Sequence, residues 1–156
     1  MANFYTQELG GVSGVSGAVG TVDGTPVVKP SATNGHQARV RVSRGTYIMG
    51  APAVGVADIL QIAILPAGAL FMQGNITSGV SLGTTTLAIG IAGTPAKYRA
   101  AAVFTAVDVP TPFGAAATIG NQTPLAGDER IIGTLGVGGL PATGQTLVII
   151  MGYMNG

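Results

Sequence analysis

One histidine, His36, and six carboxylates, Glu8, Asp23, Asp58, Asp108, Asp128 and Glu129, make up the acid–base and metal-ligating chemistry of this chain, which has no cysteine. A nucleophilic triad needs a histidine beside both a nucleophile and a carboxylate, and a metal site needs several such donors converging. Six acids spread over 156 residues around one histidine do not supply either arrangement. Without cysteine there is no thiol nucleophile, thiolate site or disulfide framework. The sequence therefore reads as non-enzymatic, with no cofactor, no metal and no small-molecule substrate. The densest charged spot, Asp128-Glu129-Arg130, follows Pro124 and Gly127. It reads as a solvated loop leading into a strand, against the alternative of a carboxylate pair or cation site.

Asp58 stands apart because it is the only charge between Gly45 and Ala96. A lone charge in an apolar stretch is paired or functional, and the expectation is a structural ion pair with Arg39, Arg41, Arg44 or Arg99. The glycines at 133, 136, 138 and 139 do not open a helix, and no G-x-x-x-x-G-K-[ST] is present, so a phosphate cradle lacks both dipole and lysine. Asn75-Ile76-Thr77 and Asn121-Gln122-Thr123 match the glycosylation tripeptide, which is common by chance. The first residues, Met1 to Tyr5, carry no basic region followed by an apolar one, and the expectation is use without export.

The elements that would position these side chains are short strands. Gln37 to Ser43 alternates, with Val40 and Val42 on one face and Arg39 and Arg41 on the other. Further runs at 59–65, 69–77, 85–92, 98–107, 130–137 and 146–154 are rich in Val, Ile, Leu or aromatics and bounded by Gly, Pro, Asn or Asp. Tyr47 to Val54 is a possible eighth strand, confined by Pro52 to an edge or a strand end. Pro66 fixes φ and Gly68 can take positive φ, so Leu65 to Ala69 is a tight structural turn between two apolar strands. No segment holds a helical period for eleven residues without Gly or Pro. Seven or eight strands without helices give an all-β chain: a β-sandwich of jelly-roll type over residues 37–156. Glycines at 90, 133 and 136 within strands imply either bulges or the close approach of a neighbouring subunit.

Residues 1–36 differ in composition. Gly10 to Gly20 is glycine-dense and aperiodic, and the three-residue glycine recurrence there contains no proline, which excludes collagen. This segment reads as an extended N-terminal arm. A disordered tail is one reading; the other is an arm that orders on a neighbour through Phe4, Tyr5 and Leu9, apolar anchors that a purely solvating tail would not use.

Charge decides the class of partner. A typical domain of this length carries roughly 39 charged residues, and this one has 7 basic and 6 acidic ones. None lies between Ile131 and Gly156. The surface must be neutral, small-residued and suited to permanent contact with other protein, because burying it carries no ion-desolvation cost. A net charge of +1 gives no basic face for nucleic acid. Mean hydropathy is +0.51, yet the best membrane window, Tyr47 to Met72, is interrupted by Pro52, Asp58, Gln61 and Pro66. The scattered aromatics do not form the girdles of a lipid-embedded barrel, so no membrane partner is expected.

The segments Val56-Ala57-Asp58-Ile59-Leu60-Gln61-Ile62-Ala63-Ile64-Leu65-Pro66-Ala67-Gly68-Ala69, Leu82-Gly83-Thr84-Thr85-Thr86-Leu87-Ala88-Ile89-Gly90 and Lys97-Tyr98-Arg99-Ala100-Ala101 resemble the head decoration, or capsid cement, proteins of tailed bacteriophages. The likeness covers residues 46 to 104 and rests on turn and strand punctuation. It implies a structural virion protein on the outer surface of the capsid, with the major capsid protein as partner and self-association as a trimer, or alternatively a dimer. The rival is a receptor- or glycan-binding head or tail fibre module, for which Tyr98, Phe113 and Asn121 to Thr123 would be the loop-borne contacts.

Overall fold

The computed structural model describes residues 40–50, 53–56, 58–119 and 123–155. The arm at 1–36, with Phe4, Tyr5 and Leu9, and also His36, Arg39 and Pro52 lie outside them. The described residues form eight strands: β1 (Val40–Ile48), β2 (Ile59–Leu65), β3 (Ala69–Ser78), β4 (Thr86–Ile91), β5 (Thr94–Val103), β6 (Thr111–Phe113), β7 (Glu129–Gly136) and β8 (Thr146–Asn155). One short helix, α1 (Ala116–Ile119), follows β6.

All pairings are antiparallel, and four of them are β1 with β8, β2 with β7, β3 with β6 and β4 with β5. That is the pattern of a single double ribbon with its tip between β4 and β5. Rolling the ribbon adds the pairs β3·β8 and β4·β7 and yields two four-stranded sheets ordered β1-β8-β3-β6 and β2-β7-β4-β5. This is the closure of an eight-stranded jelly roll, as the strand count and the absence of long helices led us to expect.

Alternation explains the core. On β8, Leu147, Ile149 and Met151 are buried, and their intervening neighbours face out. On β2 the inward set changes parity: Leu60 and Ile62 are buried but so is Leu65. A register shift between Gln61 and Ala63 accounts for it, because one extra residue re-aims the strand. β3 does the same between Phe71 and Gln73, so that Phe71 and Ile76 both reach the core. The two sheets are tied at Phe71 and Tyr98, whose rings meet edge to face with centroids 4.6 Å apart.

Four local expectations change. Of Tyr47 to Val54, Tyr47 and Ile48 complete β1, and the other described residues, 49, 50, 53 and 54, are not in a strand. The fifth strand begins earlier and stops at Val103, leaving 104–110 as a connector. The eighth strand is β6, three residues long, whose Phe113 ring occupies the space where a side chain on Gly74 would stand. On β1 the alternation is real but the valines take the outer face: Val40 and Val42 are 60% and 63% exposed while Ser43, Gly45 and Tyr47 are half-buried. Gly45 is needed there, since a Cβ would sit 2.7 Å from the Ile62 carbonyl oxygen of β2.

Candidate interaction surfaces

The strand glycines accommodate their own chain. A side chain at Gly90 would collide with the backbone of Thr94 and Pro95 where β5 turns back over β4; at Gly133 it would press on Leu87 and Ile62, and at Gly136 on the Thr86 hydroxyl. At Gly90 this close approach coincides with a register shift between Ile89 and Ile91, a bulge of the kind expected; Gly133 and Gly136 sit in regular pairing with β4.

Pro66 to Ala69 makes a tight turn, with Gly68 at φ +80° and the Ala69 N–H donating to the Pro66 carbonyl at 3.1 Å. It does not make a hairpin, however. β2 and β3 belong to different sheets, so the turn carries the chain from one layer to the other. The segment before β7 holds it there: Gly68 N–H donates to the Leu125 carbonyl, and Ala67 N–H to Asp128 Oδ1, both at 2.8 Å. Asp128 is thus a clamp on the turn.

Asp58 is exposed, and its Oδ2 accepts the Gly55 N–H at 2.6 Å. The expected arginine partner is not found among the described residues. Arg41 and Arg44 are exposed on β1, and Arg99 directs its guanidinium to the carbonyls of Leu87, Ala102 and Val103. Arg39, the fourth expected partner, lies outside the described residues; the local N–H that Asp58 accepts closes the 55–58 turn.

The only ion pair among the described residues is Lys97 with Glu129. Glu129 Oε2 also accepts the Tyr98 hydroxyl at 2.6 Å. Burial of the ring, reinforced by the neighbouring carboxylate, pushes the Tyr98 phenol far above its ordinary value, so it stays a neutral donor. Burial also lowers Arg99 from its usual range. Glu129, read from sequence as a solvated loop residue, therefore joins β7 to β5 across the sheet. The spacing gave no signal for that pairing, which is 32 residues long in sequence.

No group of three or more histidines, cysteines or carboxylates converges among the described residues, and no described helix is long and apolar enough to cross a membrane. A cleft of about 330 Å³ opens along the seam between β1 and β2, lined among others by Tyr47, Val54, Asp58, Gln61, Ile62 and Ile149. Eleven large hydrophobic side chains are exposed, and nine of them lie on the lateral edges of the sandwich. Val40, Val42 and Ile48 of β1, Ile59 and Ile64 of β2 and Val56 between those strands line one edge; Val103, Val107 and Val109 line the opposite one.

The described residues thus define a jelly-roll β-sandwich whose surface chemistry is concentrated in two apolar edges. No family model matches the sequence, and no curated protein matches it. The fold is similar to a chain of the cyanophage Pam1 capsid asymmetric unit, at TM-score 0.63 and 18% identity, over 85% of this chain and 94% of that one. It is also similar to a chain of the Ralstonia phage GP4 capsid, at TM-score 0.59 and 20% identity, over 76% of this chain and 85% of the other. A chain of the acid-stable capsid of Helicobacter pylori bacteriophage KHP30 aligns at TM-score 0.53 and 12% identity, over 74% and 86%. At these identities the likeness is one of fold.

Proposed function

We propose that this protein is a structural subunit of a phage head that binds the outer surface of the icosahedral shell and bridges neighbouring major capsid protein subunits. The observation that carries the reading is the extent of the fold likeness: the aligned regions cover most of this chain and 85% or more of each capsid chain, so those chains are about as short as this one. A short jelly roll found within a capsid suits a subunit added to a shell. The apolar edges and sparse charge support it from a second direction, because neutral surface buries against other protein without desolvating ions. Many weak contacts repeated over a lattice then give strong attachment through avidity, and self-association as a trimer multiplies the contacts each unit makes. Phe4, Tyr5 and Leu9 are the proposed anchors of the arm on a neighbouring capsomer.

The fibre-module alternative loses two of its contacts. Tyr98 is 1% exposed and spends its hydroxyl on Glu129, while the Phe113 ring lies against the backbone at Gly74. Neither is free to stack on a glycan.

The test is to add purified protein to undecorated heads and locate it by cryo-electron microscopy, with the temperature of head disruption measured alongside. Saturable density on the outside and a raised disruption temperature are expected. Heads that stay bare at high protein concentration would remove the proposal.

A further inference from the structure

We infer that copies of this chain associate head to tail through their lateral edges, the β1/β2 edge of one docking on the β5–β6 edge of the next. The inference rests on the reading of the chain as an assembly subunit and names the surfaces that the self-association uses. The jelly-roll order places β1 and β2 on one side of the sandwich and β5 and β6 on the other, so the two apolar edges face opposite ways. They are also unlike. One is a row of β-branched side chains on two strands; the other is a connector with valines at 107 and 109. Unlike surfaces on opposite sides make a heterologous contact, which closes into a ring or continues as a series, whereas a two-fold dimer requires one surface to fit itself.

Charge complements shape. The β1 edge carries Arg41 and Arg44, both exposed and neither in an ion pair with a described residue. On the same side, the Asp58 carboxylate is held by Gly55. The opposite edge carries Asp108, exposed between the two valines. Lys97 on that side is engaged with Glu129, and Arg99 with strand carbonyls, which leaves Asp108 as its available charge among the described residues.

The connector is preformed. Phe104 is buried at its start, and its carbonyl accepts the Leu82 N–H at 2.9 Å. Asp108 has φ +56° and donates its N–H to the Ser78 carbonyl at 2.8 Å. A non-glycine residue held in the left-handed region and flanked by outward valines is a shape the fold maintains at a cost, as at binding loops. Preorganisation of this kind removes ordering entropy from docking.

Sedimentation of three samples tests the inference. The full chain at tens of micromolar should give a closed trimer or a longer series. Val42→Glu and Val109→Glu, both at exposed positions, should each weaken self-association by roughly a hundredfold, since each places an unpaired charge in an apolar contact. Mixed together, they should form a one-to-one heterodimer and nothing larger, because each variant retains the edge the other has lost. If either glutamate variant melts early, Val42→Ser and Val109→Ser with the charge reversals Arg44→Asp and Asp108→Arg take their place, the two reversals together restoring what each alone removes. A wild-type chain that stops at a dimer or stays monomeric overturns the inference, as does a single variant of wild-type mass. Head occupancy measured on the same samples separates the two proposals: a monomer that decorates heads fully defeats the lateral contact alone, and a head-to-tail oligomer that ignores heads defeats the capsid reading alone.

Discussion

Asp58 and Glu129 are both acids at the start of apolar strands, yet their surroundings differ. Asp58 is exposed and holds one backbone N–H, so Asp58→Ala should cost at most about 1 kcal/mol, read as a small change in thermal midpoint. Glu129 is partly buried and satisfies both Tyr98 and Lys97. Removing it leaves a buried hydroxyl unpaired, and Glu129→Ala should cost about 1–3 kcal/mol in denaturant unfolding. Tyr98 adds a pH dependence. Its folded value is raised above the ordinary value near 10, so its contribution is fully present below that pH and declines as pH climbs beyond it, where the unfolded chain ionises first. The thermal midpoint should fall above pH 10, and Tyr98→Phe should flatten that fall while costing about 1.5–3 kcal/mol at neutral pH.

At the scale of elements, two glycines separate backbone strain from steric exclusion. A side chain at Gly68 would meet nothing within 4 Å, but the residue holds φ +80°. Gly68→Ala should therefore cost only the left-handed penalty, about 1–2 kcal/mol. Gly90 lies inside β4 under the backbone of Thr94 and Pro95. A methyl group there forces β5 off β4, and Gly90→Ala should cost more than Gly68→Ala, about 3 kcal/mol or more, with loss of hydrogen-exchange protection along β5. Equal costs would mean that β5 yields easily, contrary to the packing around Tyr98. The same logic applies to the turn at Pro66, which carries the chain between sheets and is clamped by Asp128. Asp128→Ala should loosen it while leaving the strands paired.

For the whole molecule, the described core uses side chains from Met49 to Met151. Removal of residues 1–36 should leave the sandwich folded, seen as an unchanged β-type circular dichroism spectrum and cooperative melting. Under the proposed function, the shortened protein should give less protection to heads than the full chain at equal occupancy. Equal protection would place the whole capsid contact on the sandwich and withdraw Phe4, Tyr5 and Leu9 as anchors.

Local pattern was enough to determine most of the longer strands. The runs at 59–65, 69–77 and 146–154 match β2, β3 and β8 almost residue for residue, because alternation and bounding turn residues are properties of neighbours along the chain. Scarcity of charge, likewise, determined that the surface would be neutral. Tertiary structure decided the rest. Period-two alternation says that Val40 and Val42 share a face but not which face meets the core, and only the packing of Gly45 on Ile62 turns those valines outward. β6 is too short to show a period and exists because its Phe113 ring covers Gly74. The bonds from Glu129 to Tyr98 and from Asp128 to Ala67 join residues 31 and 61 positions apart, and the two apolar edges become opposite sides of one body only when the ribbon rolls. Sequence spacing fixes no such distances; chain closure does.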